Sequence, residues 1–138
     1  ILYVPNAGHG LEQDRGNDKS DRERAVSALS AFARHMVADE PMPALSWRHY
    51  REDGLAKIEV SSTPPPRGAR LWVADAPTRD FREARWVEHP AKVELNRVHG
   101  SVELPEKGYR AFFAELDFAV GDMPFPLSTQ NRILKAKD

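Results

Sequence analysis

At Pro43 the hydrophobic pattern of this chain changes its period, so the residues on either side cannot belong to one kind of element. Before it, Ala25, Leu29, Phe32 and Met36 recur at helical spacing, with Val26, Ala33 and Val37 widening the stripe. Ser20-Asp21-Arg22-Glu23 has the pattern of a capping box, in which the Ser20 hydroxyl accepts from the Glu23 amide and Glu23 reaches back. Asp21 and Glu23 complement the positive end of the helix dipole, Arg34 and His35 the negative end, and Pro41 forbids continuation. The spacing predicts a helix over 21–38 whose stripe packs on a sheet.

After Pro43 the period is two. Leu45–Arg51 and Leu55–Ser62 read as a hairpin around Glu52-Asp53-Gly54, with Ala56, Ile58 and Val60 on one face. Thr63-Pro64-Pro65-Pro66-Arg67-Gly68 is a stiff connection that cannot lie inside a sheet. Ala69–Ala74 follows as a strand, then a short strand around Trp86, and further strands over 92–97 and 101–104. The longest runs from Tyr109 to Phe118, with Phe112, Ala114, Leu116 and Phe118 towards the core. Gly121-Asp122 and the Pro124/Pro126 pair then turn the chain into a last strand, Leu127–Leu134. Seven or so short strands, with Tyr109 placed to bond back to upstream backbone, predict an Ig-like or fibronectin-type antiparallel β-sandwich. The chain therefore reads as mainly β, in two units, 1–40 and 45–138.

Composition narrows the function. Twenty basic residues against twenty-one acidic leave a net charge of −1, with no basic surplus to attract nucleic acid. No apolar run is long enough for a membrane span, and no signal peptide is visible. The absence of Cys excludes disulfides, thiolate nucleophiles and cysteine metal sites. His35, His49, His89 and His99 are scattered, His89 and His99 beside turns, without ligands at the spacing a metal needs. No cofactor fingerprint occurs.

His9 is the candidate catalytic residue. In Tyr3-Val4-Pro5-Asn6-Ala7-Gly8-His9-Gly10 a β-rich run stops at a proline, and a turn of Asn and Gly presents one histidine ahead of a helix. An α/β-hydrolase delivers its base in that order, after its nucleophile and acid. The eight residues before His9 hold no Ser, Asp or Glu, so the chain reads as the C-terminal piece of a larger protein, with one third of a triad. The plainer reading of His9 is a solvated turn residue between two glycines. Trp47, Trp72 and Trp86 offer a different function, a non-catalytic interaction or carbohydrate-binding sandwich, weighed against simple core filling.

The Tyr3–Gly10 motif, Leu45-Ser46-Trp47, Leu71-Trp72, Thr78-Arg79-Asp80-Phe81-Arg82, Lys107-Gly108-Tyr109-Arg110-Ala111-Phe112-Phe113 and Leu127-Ser128-Thr129-Gln130 together resemble the C-terminal part of the PhoPQ-activated pathogenicity-related protein family. The resemblance implies an α/β-hydrolase-like domain followed by a β-sandwich, in exported proteins. It implies that His9 matches the triad histidine, and that a serine in a Gly-x-Ser-Lys-Arg-Gly segment and the acid lie upstream. The upstream domain is then the expected partner. Without it, residues 1–38 are expected to mediate self-association through the apolar stripe and an unpaired edge strand.

Overall fold

The computed structural model describes residues 1–7 and 20–136. The chain is mainly β, with two antiparallel sheets and, among the described residues, one helix. Helix α1 (Ser20–Ala38) ends where Asp39 turns left-handed at φ 55° and the Glu40 amide donates to the His35 carbonyl at 3.0 Å. That bond satisfies a carbonyl the helix itself leaves unpaired, and Pro41 and Pro43 follow. The capping box read at Ser20 rests on side chains outside the described ones.

Strands β1 (Ala44–Glu52) and β2 (Leu55–Thr63) form the expected hairpin. Both turn residues, Asp53 and Gly54, have positive φ, the geometry whose twist matches the flanking strands. β3 (Gly68–Ala76), β4 (Val87–Pro90), β5 (Lys92–Glu94), β6 (Arg97–Glu103), β7 (Tyr109–Val120), β8 (Met123–Ser128) and β9 (Arg132–Lys135) complete the sheets. One sheet has the order β1-β2-β6-β5. The other runs β4-β3-β7-β8, with β9 continuing along the edge of β7 that β8 leaves free.

The core lies between the sheets. Ala56, Ile58 and Val60 of β2 and Val98 and Val102 of β6 meet Leu71 and Val73 of β3 and Phe112, Ala114, Leu116 and Phe118 of β7. Each large side chain among them, fully buried, contributes roughly 1.5–3 kcal/mol. The period-two reading of β2 and β7 thus holds.

Four expectations are corrected. The strands expected at 92–97 and 101–104 are instead a hairpin, β5 and β6, turning at Leu95 with φ 54°. His99 and Gly100 therefore lie inside β6, because Leu71 from the facing sheet fills the space above Gly100. The last strand is two strands, and Pro124 and Pro126 sit within β8 rather than in the turn. An edge strand accepts proline because one side of its backbone has no ladder to complete. Residues 1–4 form no strand: their backbone bonds run from the Ser128 amide to the Ile1 carbonyl at 2.9 Å and from the Tyr3 amide to the Ser128 hydroxyl at 3.1 Å. Finally, Arg110 rather than Tyr109 closes the strand corner. Its guanidinium donates to the Glu103 carbonyl at 3.0 Å and to both Asp75 oxygens at 2.6 and 2.7 Å, while Arg79 lies over the Tyr109 ring.

The helix docks on the face the sequence did not favour. Ala28, Ala31 and His35 are buried, in line with Arg24, where α1 crosses β8. The stripe itself faces outward, with Leu29 69%, Phe32 50% and Met36 65% exposed.

Candidate functional site

His9 lies outside the described residues. The described residues that flank it in the sequence, up to Ala7 on one side and from α1 on the other, are both seated on the outer face of the β3–β7 sheet. On the near flank Pro5 is buried and Asn6 adopts φ 60°, a conformation Asn tolerates better than most residues. The Asn6 side chain accepts from the Trp86 backbone amide at 2.7 Å and donates to the Trp86 carbonyl at 2.9 Å. One amide side chain thereby satisfies both backbone groups of one residue.

Aromatic rings support that contact. Tyr3 lies 5.0 Å from Phe113, Phe113 5.3 Å from Trp86, and Trp86 6.1 Å from Phe81, all tilted. Phe113 is on this face because it alternates with Phe112 and Ala114, which point to the core. The Thr78–Arg82 segment is what presents Phe81. The Asp80 amide donates to the Thr78 hydroxyl at 3.2 Å, the Arg82 amide to Asp80 at 3.1 Å, and the Arg82 Nε to both Asp80 oxygens at 3.0 Å. The Arg82 side chain first, then its backbone amide, hold the Asp80 carboxyl down to about 2. A motif with no obvious strand or turn chemistry in the sequence is a self-bonded loop that carries an aromatic wedge.

The far flank is charged. Arg24, in the first turns of α1, pairs with Glu115, which is 0% exposed, and its guanidinium lies over the Trp72 ring at 5.1 Å. The same Glu115 oxygen accepts from Arg70 at 2.6 Å, and Arg70 also pairs with Asp117. Burial works against the Arg70 charge, but Asp117 and then Glu115 outweigh it and hold its pKa above the ordinary value. Nothing in the sequence separated Glu115 from the solvated carboxylates of other strands. Its position among buried residues on both faces of β7 becomes visible only once α1 covers the sheet.

The other candidates stay apart. Trp47 packs part-buried against the core from β1, Trp72 is buried beneath Arg24, and Trp86 belongs to the Asn6 contact, so the three form no shared platform. His35 meets Phe125 edge-on at 6.0 Å, and His49 meets Phe112 edge-on at 5.4 Å. His99 lies 3.8 Å from Glu94 on the first sheet. Among the described residues no three His, Asp or Glu side chains gather as a metal site, and no helix is long and apolar enough to cross a membrane. A cleft of about 520 Å³ opens between Asp75–Pro77 and Glu103–Gly108, at the corner where Arg110 is already committed to Asp75 and Glu103.

Comparison with known proteins gives one family. The model of the PhoPQ-activated pathogenicity-related protein family matches residues 1–82, more than half of the 138. No curated protein and no solved structure matches significantly.

Proposed function

The chain belongs to the PhoPQ-activated pathogenicity-related protein family, and from that premise we propose that it is the C-terminal part of an exported serine hydrolase. His9 is the general base: it takes the proton of an upstream serine as that serine attacks an ester or amide carbonyl, then returns it to the leaving group. An upstream acid orients the imidazole. No cofactor is needed for acyl transfer. Residues 1–40 are the end of the hydrolase-like domain and 45–138 an accessory sandwich that braces it.

The observation that carries this reading is the extent of the family match. It spans the His9 motif, α1 and the first three strands, so the residues around His9 and the start of the sandwich fall within one family match. The strand orders support the Ig-like form of that sandwich. β1-β2-β6-β5 and β4-β3-β7-β8 correspond to strands A-B-E-D and C′-C-F-G of an immunoglobulin domain. The outward stripe of α1 fits the same reading, since Leu29, Phe32 and Met36 are then the face that the hydrolase-like sheet covers.

The test is hydrolysis of p-nitrophenyl acetate. The 138-residue chain alone should show no turnover, because nucleophile and base must be in contact. The full-length protein should turn it over, and His9→Gln should abolish that turnover. Activity of the 138-residue chain, or full activity in His9→Gln, would overturn the assignment.

A further inference from the structure

We propose that the outer face of the β1-β2-β6-β5 sheet is a binding site for a neutral oligosaccharide, with Tyr50, Lys57 and Ser101 as its floor. The two outer faces of the sandwich differ. On the β3–β7 sheet the face is taken up by α1 and by residues 1–6. Across the other, no described helix or strand packs. That face is not flat. A cleft of about 680 Å³ opens over it, walled by Pro90 and Ala91 where the chain passes from β4 to β5.

Strand alternation decides what lines the cleft. The core takes Ala56 and Ile58 of β2 and Val98 and Val102 of β6, so Lys57, His99 and Ser101 point outward. Tyr50 stands opposite Lys57 across β1 and β2, and Lys57 opposite Ser101 across β2 and β6. The three therefore form one row, about 10 Å long, on neighbouring strands. The Tyr50 ring is held in place. The Arg48 guanidinium lies over it at 5.1 Å and donates to Glu59 at 2.8 Å. A ring already fixed gives contact area with little further loss of conformational freedom on binding. None of the three tryptophans lines this cleft, so it is a different place from the aromatic platform considered in the sequence.

The charges decide the class of ligand. Lys57 already pairs with Glu52 at 2.5 Å, and Lys92 with Glu94 at 2.5 Å. An ionic ligand would have to displace a carboxylate or an ammonium that is in place. A neutral ligand dense in hydroxyls displaces neither. It can donate to the Glu94 carboxylate, accept from the lysines, and do either with the Tyr50 and Ser101 hydroxyls, which have no hydrogen-bond partner among the described residues. The C–H face of a pyranose then meets the Tyr50 ring, and a row of this length spans more than one sugar unit.

The test is binding by the 138-residue chain of maltohexaose, cellohexaose and chitohexaose, with hexagalacturonate as the acidic counterpart. At least one neutral hexamer should bind with an affinity on the order of millimolar or tighter and shift the amide resonances of Tyr50, Lys57 and Ser101. Salt should leave that affinity unchanged, because no net charge is neutralised. Tyr50→Ala should weaken binding about tenfold. Ser101→Trp fills the cleft from an exposed strand position and should abolish binding while leaving the core untouched. Binding of none of the three, binding that neither substitution affects, or tighter binding of hexagalacturonate that salt removes would each overturn the proposal. No turnover is read, so the outcome is independent of the hydrolase reading.

Discussion

Glu115 occupies a strand face that a bare sheet would give to water, and the protein has buried it completely between Arg24 and Arg70. Removing one member of such a group leaves the others desolvated, which costs more than the intact group contributes. Glu115→Gln keeps the volume and deletes the charge, and it should lower unfolding stability by about 3 kcal/mol in urea titration. An exposed pair makes the contrast: Arg48→Ala, opposite Glu59, should leave the urea midpoint nearly unchanged. His49 supplies the pH dependence. Burial first, then the Arg132 charge, push its pKa down, and a backbone bond at Gln130 offsets this only in part. The folded imidazole therefore binds a proton less readily than the unfolded one, whose ordinary value is 6.5. Above that value both states are neutral and the group contributes nothing. As pH falls through it the unfolded chain protonates first, and stability declines until the folded pKa is passed. Urea midpoints measured from neutral to mildly acidic pH should show this decline, and His49→Leu should flatten it.

At the scale of elements, what could be read from the sequence was whatever one element decides for itself. The helix needed only its own spacing and the prolines behind it, and β2 and β7 needed only alternation. The misreadings arose where a neighbour decides. Gly100 suggests a turn, but it is glycine because Leu71 of the facing sheet approaches it: a Cβ there would lie 2.7 Å from the Leu71 methyl carbons. Pro124 and Pro126 suggest a turn as well, yet an edge strand accommodates them. The stripe of α1 was visible, whereas the alanine and histidine seam that docks was not, since small residues carry little periodic signal. Asn6 could be seen as a turn residue, but its partner, 80 positions away, could not. Gly100→Ala tests the first point. It should destabilise by about 1–3 kcal/mol through overpacking. Leu71→Ala in the same chain should make the added methyl nearly neutral, a coupling that thermal melts of the double-mutant cycle would reveal. Additive effects would mean that Gly100 is there for its backbone instead.

For the molecule as a whole, the exposed stripe of α1 decides how the 138-residue chain behaves by itself. Ala25, Leu29, Phe32 and Met36 are spaced four, three and four apart, which reads the same from either end. Two copies laid antiparallel therefore set Leu29 against Phe32 and Ala25 against Met36 of the other copy. A stripe this apolar, left to water, promotes association. One helix pair is a small interface, and the loss of rotational and translational freedom offsets much of what burial gains, so an affinity on the order of micromolar is expected. Sedimentation of the 138-residue chain should show a dimer that Phe32→Glu converts to monomer. A monomer at high concentration, or a dimer indifferent to Phe32→Glu, would rule out this seam. In the longer protein proposed above, an upstream sheet that covers the stripe gives the opposite consequence. There Phe32→Glu buries a charge instead of freeing a surface, so the substitution that makes the short chain monomeric should lower the melting temperature of the long one. A long chain whose melting Phe32→Glu leaves unchanged would count against the proposed upstream domain covering the stripe.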